Sequence, residues 1–328
     1  IDALERLRFR WRGDGLELKT LRKLASLYFG RHQWREGLKV LRVATQNFPG
    51  LDAARVAQDD MRAAFVNLFL KGGADKMKPV DALALFYDNL DLTPIGPDGD
   101  EMIRRISDRL VAVDLLGPAA KLLAYQVDKR LDGVAKAQVS TRLASVYLMD
   151  HKPEAAVKAI RDSDVTGLPA DEMHARLLLE ARAFAALKQW DNALDLIALD
   201  DTPQSRRLRA DIYWESGNWA MAGQKAEEML DTRWSDQEPL SPAERTEVLR
   251  AAVAYSLAGD QQSLARLNGH FEAKMKSTPD ANLFAVLSAP LETHGLAFRD
   301  AAAKIAGIDT LQSFMTDFNK RYGEQPRS

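Results

Sequence analysis

Residues 21–49, LRKLASLYFGRHQWREGLKVLRVATQNFP, decide the fold. Their apolar side chains recur three and four positions apart, first before residue 30 and again from residue 34, which predicts two amphipathic helices joined by a short turn. Pro49 marks the end of the second helix, because proline cannot continue a helix interior. The stretch therefore predicts one antiparallel helical hairpin. Its face positions are Leu21, Leu24, Ala25 and Tyr28 in the first helix and Trp34, Gly37, Leu41 and Ala44 in the second.

The same helical spacing runs through the rest of the chain, and alternating, strand-like runs are scarce. Turns that contain glycine or proline interrupt the pattern every 12 to 20 residues. With 328 residues, of which 46% are hydrophobic and 28% charged, the chain has enough apolar surface for a large core. The predicted fold class is therefore all-α, an α-solenoid of stacked antiparallel helix hairpins.

Small residues set the spacing between hairpins. Two antiparallel helices approach closely only where a small side chain faces a large one, so a small residue at the crossing marks the register of each hairpin. Successive markers lie 45, 38, 36, 37 and 29 residues apart, which is close to one hairpin each. The markers are Gly37, Ala82, Ala120, Ala156, Ala193 and Ala222.

Around these markers the sequence resembles the tetratricopeptide repeat. The pattern of that family is about 34 residues long and ends with proline. It places large, small and aromatic residues at fixed positions on the first helix of each hairpin, helix A, and on the second, helix B. The resemblance implies a right-handed superhelix over residues 1–270. The clear units are 16–50, 138–169, 173–203 and 204–232, and the degenerate units are 55–95, 100–132 and 244–271.

Residues 271–328 leave this register. The last repeat of an array exposes its apolar face unless something covers it, so we expect these residues to form helices that cap the array, followed by a frayed tail. The tail reads as a true C-terminus, and Ile1, in place of Met, indicates that the chain was processed or cut from a longer protein. The capping helices are expected near residues 283–287, 295–305 and 310–321.

Motifs for catalysis or cofactor binding are scarce. The absence of Cys excludes disulfides, thiolate metal sites and a Cys nucleophile. The five histidines lack the spacing of paired helical metal ligands, and no phosphate-binding glycine motif occurs. We interpret His32 and His151 as turn residues, and Asp98, Asp100 and Glu101 as part of a solvated loop that caps the next helix. The sequence therefore predicts no enzyme, no cofactor and no metal.

Three tryptophans fall at one position of helix B and are predicted to pack within their repeats. Trp214 instead falls on helix A, where it would face the groove, with partial burial against a neighbouring repeat as the alternative. Trp11 and Trp234 lie outside the register. The three helix B tryptophans are Trp34, Trp190 and Trp219.

Charge is uneven along the chain. The net charge of −2 gives no global attraction to nucleic acid, but residues 1–42 hold eleven Lys and Arg against five Asp and Glu. We interpret this segment as a solvated face, or as the contact with an upstream repeat, in preference to a nucleic-acid site. No uncharged apolar run approaches the roughly 18 to 20 residues that a transmembrane helix requires.

The family resemblance implies a scaffold in which the A helices line a concave groove that binds a peptide or partner protein. The groove positions are rich in arginine, which suits carboxylates on a partner. Arg22 and Ser26 stand where chaperone-binding members have Lys and Asn, so chaperone tails are not predicted as ligands. The groove positions are Arg22, Ser26, Phe29, Arg142, Ser145, Arg182, Asp211 and Trp214.

A second resemblance concerns two stretches, residues 3–14 and 99–105. They resemble the C-terminal part of long bacterial tetratricopeptide proteins that carry a signal peptide and β-rich modules upstream. This implies a periplasmic protein that helps to assemble or maintain the cell envelope, with the cytoplasm as the alternative compartment. Two other functions stay open, namely a self-associating assembly factor, and a regulator that binds an anionic polymer or nucleic acid through the basic N-terminal segment.

Overall fold

The computed structural model describes residues 1–10, 15–47, 52–289, 302, 305 and 309–323. In these ranges the chain forms seventeen α-helices and one short 3-10 helix, and no β-strand. The all-α prediction is therefore confirmed. Within the described ranges, no helix has both the length and the apolar character needed to cross a bilayer. The chain divides into two compact units, residues 1–132 and 133–328, which are described separately.

The first unit is a succession of helices in which neighbours along the chain pack on each other. Its aromatic centre joins Phe65 and Phe69 to Phe86, with ring centroids 4.7 to 5.5 Å apart. A 3-10 helix at Leu90–Leu92 follows the fifth helix. The helices are α1 (Asp2–Arg10), α2 (Gly15–Gly30), α3 (Trp34–Asn47), α4 (Asp52–Leu70), α5 (Pro79–Tyr87), α6 (Pro97–Ala112) and α7 (Leu116–Lys129).

In the second unit, helices also pack on their neighbours along the chain, and α8 and α10 each pack on the helix two further on. The last helix, α17, departs from this order because it packs on α8. The helices are α8 (Gly133–Met149), α9 (Pro153–Arg161), α10 (Ala170–Ala186), α11 (Trp190–Leu196), α12 (Pro203–Glu215), α13 (Trp219–Leu230), α14 (Pro242–Ala258), α15 (Gln261–Lys276), α16 (Ala281–Leu287) and α17 (Thr310–Tyr322).

One turn geometry recurs between helices in both units. A residue with positive φ ends the first helix of a pair, and the N–H of the next residue donates to the carbonyl five positions before it, as in Lys152 to Tyr147. This arrangement is a Schellman motif, which satisfies the last carbonyls of the helix. The interpretation of His32 and His151 as turn residues is confirmed. The positive-φ residues are His32, Asp114, His151, Lys188, Gly217 and Gly259.

All six marker residues of the hairpin register are buried. At Gly37 a Cβ atom would enter the ring of Phe29, so the absence of a side chain lets α2 and α3 approach closely with this ring in place. In α13 the residue that has this role is Gly223, next to the predicted marker Ala222. A Cβ atom at Gly223 would lie 2.7 Å from Cδ1 of Tyr255 on α14.

The helices predicted near residues 283–287 and 310–321 are present as α16 and α17. Of the segment 295–305, only Ala302 and Ile305 lie within the described residues, and both are helical. The two C-terminal helices lie at different places. The helix α16 packs on α14 and α15, whereas α17 packs on helices that precede it by more than a hundred residues.

Candidate helix-binding face

The helix α17 lies on a surface built by α8, α10 and α12, which we name the central face. Met315 and Phe318 of α17 are 5% and 7% exposed and belong to one buried cluster with residues of α8, α9 and α10. Many of the partners are alanines, which leave room for large side chains of an incoming helix. The cluster members from α8, α9 and α10 are Ala144, Leu148, Ala156, Ile160, Ala175, Leu179 and Ala183.

The amphipathic pattern of α17 explains why it packs on this surface. Leu311, Phe314, Met315, Phe318 and Tyr322 follow the i, i+3, i+4, i+7 spacing of one helix face and so lie on one side of the helix. The ring centroids of Phe318 and Tyr322 lie 4.9 Å apart. The opposite side is exposed and polar. Its residues are Gln312, Thr316, Asp317, Asn319 and Lys320.

The C-terminal end of α17 is held by a chain of polar contacts. The Tyr322 hydroxyl lies 2.5 Å from Nδ1 of His174, and Nε2 of the same imidazole lies 2.7 Å from Oδ2 of Asp200. A carboxylate can only accept, so Nε2–H donates to Asp200, and in the neutral imidazole Nδ1 accepts the hydrogen bond of the Tyr322 hydroxyl. Burial raises the pKa of Tyr322, so this hydroxyl keeps the proton that it donates at neutral pH.

The environment of Asp200 keeps its carboxyl group ionised. Burial alone would raise its pKa, but hydrogen bonds from Ser205, Thr202 and His174 outweigh burial and hold the pKa below its ordinary value. The Ser205 hydroxyl donates to Oδ2 at 2.6 Å, and the Thr202 amide donates to Oδ1 at 3.0 Å. Thr202 also caps α12, which fixes this loop on the first turn of that helix.

The N-terminal end of α17 is held by a second polar contact. Nη1 of Arg182 on α10 donates to Oε1 of Glu215 on α12 at 2.6 Å, and the Thr310 hydroxyl donates to the same oxygen. Arg182 is only 4% exposed. Because Thr310 lies near the end of α10 and Tyr322 near its start, α17 runs antiparallel to α10.

Beyond α17, a buried charge cluster joins α12 to α14. Nη2 of Arg250 donates to Oδ1 of Asp211 at 2.6 Å, and Nη1 of Arg207 donates to Oε1 of Glu247 at 2.5 Å. The guanidinium of Arg250 also lies 5.1 Å from the ring centroid of Trp214. Burial raises the pKa of Glu247 and outweighs the opposite effect of the two arginines. Two cations and two carboxylates make the cluster neutral.

The structure distributes the predicted groove residues over several environments. Arg182 contacts α17, whereas Asp211 and Trp214 belong to the charge cluster and are 2% and 8% exposed. Arg142 and Ser145 lie on α8, where the Ser145 hydroxyl donates to the carbonyl of Arg142 at 2.7 Å.

Three predicted groove residues, Arg22, Ser26 and Phe29, belong to the first unit. Nε of Arg22 donates to Oδ2 of Asp60 at 2.6 Å, Ser26 is exposed, and the ring of Phe29 packs on Trp34 with centroids 5.5 Å apart.

Of the polar residues that meet α17, Arg182 was a predicted groove residue, whereas His174 and Glu215 were not. The sequence predicted a capping helix near residues 310–321 but did not indicate that it packs on α8, α10 and α12. His174 carried no sequence signal, because its partners are 26 and 148 residues away.

The interpretation of Asp98, Asp100 and Glu101 as part of a solvated loop is wrong, because helix α6 begins at Pro97 and contains all three residues.

The predictions about the tryptophans also have an outcome. Trp34 is buried, and Trp190 and Trp219 are partly buried in the cores of their hairpins. Trp234 is exposed and stacks on His270 with centroids 4.5 Å apart. Trp11 lies outside the described residues.

Arginines of the basic N-terminal segment bind carboxylates of the same unit. Arg35 pairs with Asp88 at 3.0 Å, and Arg42 pairs with Asp91 at 2.9 Å, as Arg22 does with Asp60. These contacts reduce the positive charge that the segment presents to an anionic polymer.

No cluster of three or more His, Asp or Glu side chains that could hold a metal ion occurs in the part of the chain that the structure describes. Comparison of the sequence with known protein families and with curated proteins finds no match.

Proposed function

We propose that this chain is a non-enzymatic scaffold for protein–protein interaction, a tetratricopeptide-like array whose central face binds a helix of a partner protein. One observation carries the proposal, namely that the central face holds an amphipathic helix, α17, in a defined direction. A surface that accepts one such helix has the shape and chemistry to accept another with the same pattern.

The composition of the central face supports a helical rather than an extended ligand. Ala144, Ala175 and Ala183 have short side chains, so a helix can approach closely and place its own large side chains between α8 and α10. The polar groups that meet α17, His174 and the Arg182–Glu215 pair, lie where the two ends of the bound helix fall. An extended peptide would instead present main-chain groups along the whole surface and would need matching donors and acceptors there.

The proposal includes a location in the bacterial periplasm and a part in assembly or integrity of the cell envelope. Its support is the resemblance of residues 3–14 and 99–105 to long envelope-associated tetratricopeptide proteins. Fractionation of cells that express the tagged protein from its native locus tests the location. Recovery in the cytoplasmic fraction would contradict it.

Photo-cross-linking tests the central face as a partner site. Tyr147 of α8 is half-buried and packs on the cluster that holds Met315 and Phe318, and p-benzoylphenylalanine at this position would report contacts of the central face. The matched control is the same substitution at Tyr87, an exposed tyrosine of the first unit.

The expected result is an adduct with a second protein from position 147 and none from position 87 after irradiation in living cells. Mass spectrometry of the adduct would then identify a helical segment of the partner as the cross-linked peptide. Adducts from position 87 alone, or a cross-linked segment without amphipathic helical spacing, would contradict the proposal.

A further inference from the structure

We infer that α17 is an intramolecular competitor for the central face, and that the partner is an amphipathic helix with the side-chain pattern of α17. This inference rests on the proposed function. It adds that the face is occupied in the isolated chain and that α17 must leave before a partner helix binds.

The helix α17 packs shallowly on the central face. Only Met315 and Phe318 are buried among its 13 residues, whereas α10 has nine buried residues and α14 has ten. A helix with few buried side chains belongs to the part of a structure that opens locally at the lowest free energy. Removal of an array helix such as α10 or α14 would break the core. Removal of α17 leaves most contacts of that core in place.

The polar groups beneath α17 are paired with residues of the array itself. His174 is paired with Asp200, and Arg182 is paired with Glu215, independently of α17. When α17 leaves, the Arg182–Glu215 ion pair and the His174–Asp200 hydrogen bond stay within the array, and among the described residues the hydroxyls of Thr310 and Tyr322 exchange their partners for water. Among the described residues, release of α17 therefore leaves no buried charge without a partner. An unpaired buried charge is what usually raises the free energy of such a release.

The contacts of α17 define the chemistry of the partner helix. The bound helix must present two large apolar residues one turn apart, as Phe314 and Phe318 do, with Met315 between them. A hydroxyl group at its N-terminal end would meet the Arg182–Glu215 pair, and a tyrosine at its C-terminal end would meet His174. These end contacts differ from each other, so the partner helix binds antiparallel to α10.

Binding of a peptide in trans tests the inference with full-length chains. The probe is a fluorescein-labelled peptide of residues 309–323, and fluorescence anisotropy measures its affinity. Met315→Glu/Phe318→Glu should release α17, because both side chains are buried against the array. Thr316→Glu/Asn319→Glu is the matched control, since it adds the same charge on the exposed side. A scrambled peptide controls for non-specific binding.

We expect the released chain to bind the peptide at least tenfold more tightly than the wild type or the matched control. Tyr322→Phe removes the hydroxyl that donates to His174 and keeps the apolar contacts of the ring. The affinity of this variant chain for the labelled peptide should therefore lie between the affinities of the wild type and the released chain. This variant keeps the test informative where the double substitution perturbs folding, which circular dichroism would show.

Each contrary result has its own meaning. Equal, saturable binding to all chains would overturn the competition but leave the central face as a helix-binding site, so the proposed function would stand. Absence of binding to a folded, released chain would overturn both. Loss of helix content beyond that of α17 in both the released chain and Tyr322→Phe would show that α17 is an integral part of the fold, which also overturns the inference.

Discussion

His174 and Tyr322 are 148 residues apart in sequence, yet their side chains meet at 2.5 Å between Nδ1 and the phenolic oxygen. The contact joins the start of α10 to the last turn of α17. It is relayed through Nε2 of His174 to Asp200, whose carboxylate also accepts from Ser205 and Thr202. The position of α17 is thus linked to the loop before α12.

Asp200→Asn should reduce stability at pH 7 by about 1–2 kcal/mol, because the ionised carboxylate accepts several hydrogen bonds. The pKa of Asp200 in the folded chain lies below the ordinary value of 3.8. Its stabilising effect is therefore complete above pH 3.8 and is lost as the pH falls through the folded pKa. Urea unfolding of both chains at pH 7, 5, 4 and 3 checks this, and a difference that grows on acidification would contradict it.

Arg250→Met should destabilise the second unit by about 3–5 kcal/mol, because it removes the cation 2.6 Å from buried Asp211 and leaves Arg207 as the remaining cation for two buried carboxylates. The matched control is Arg35→Met in the first unit, whose partner Asp88 is exposed, and there we expect less than about 1 kcal/mol. Chemical denaturation measures both free energies. Similar small losses at the two positions would show that the buried cluster adds little to stability.

Gly223→Ala should cost about 1–3 kcal/mol, since the added Cβ atom meets the buried ring of Tyr255 on α14. Gly37→Ala should cost less, because the ring of Phe29 that it meets is half-exposed and can turn aside. In a double-mutant cycle, Tyr255→Leu should reduce the cost of Gly223→Ala. Additive effects of the two substitutions would contradict a direct contact.

His151→Gly should stabilise the chain by about 0.5–1 kcal/mol, because His151 has a φ of 53°, which is strained for a residue with a Cβ atom. Gly217 has the same role with a φ of 74°, so Gly217→Ala should have the opposite sign. Thermal unfolding followed by circular dichroism compares the two variants. A destabilising His151→Gly would mean that the imidazole contributes more than the strain costs.

Much of the fold could be predicted from local sequence. Helices, their turns and the buried markers depend on residues within one hairpin, and the spacing of Leu21, Leu24 and Tyr28 carries that information. The residue at the closest approach of α13 was predicted one position away, as Ala222 in place of Gly223. The two are adjacent in sequence, and only the position of Tyr255 on another helix distinguishes them.

Prediction of the candidate site was weaker for a related reason. Register assigned Asp211 and Trp214 to helix A, but it could not show that Arg250, 39 residues later, would pair with Asp211 and cover Trp214. The sequence likewise predicted a helix near residues 310–321 and a repeat unit over residues 173–203, without relating one to the other.

The sequence by itself determined the helices and the all-α class, since periodicity and turn residues act through hydrogen bonds and packing between near neighbours. Only the tertiary structure decided that α17 lies on the central face and that its ends meet His174 and Glu215. The physical reason is that an apolar stripe specifies the need for burial but not the surface that provides it, because the hydrophobic effect has no direction.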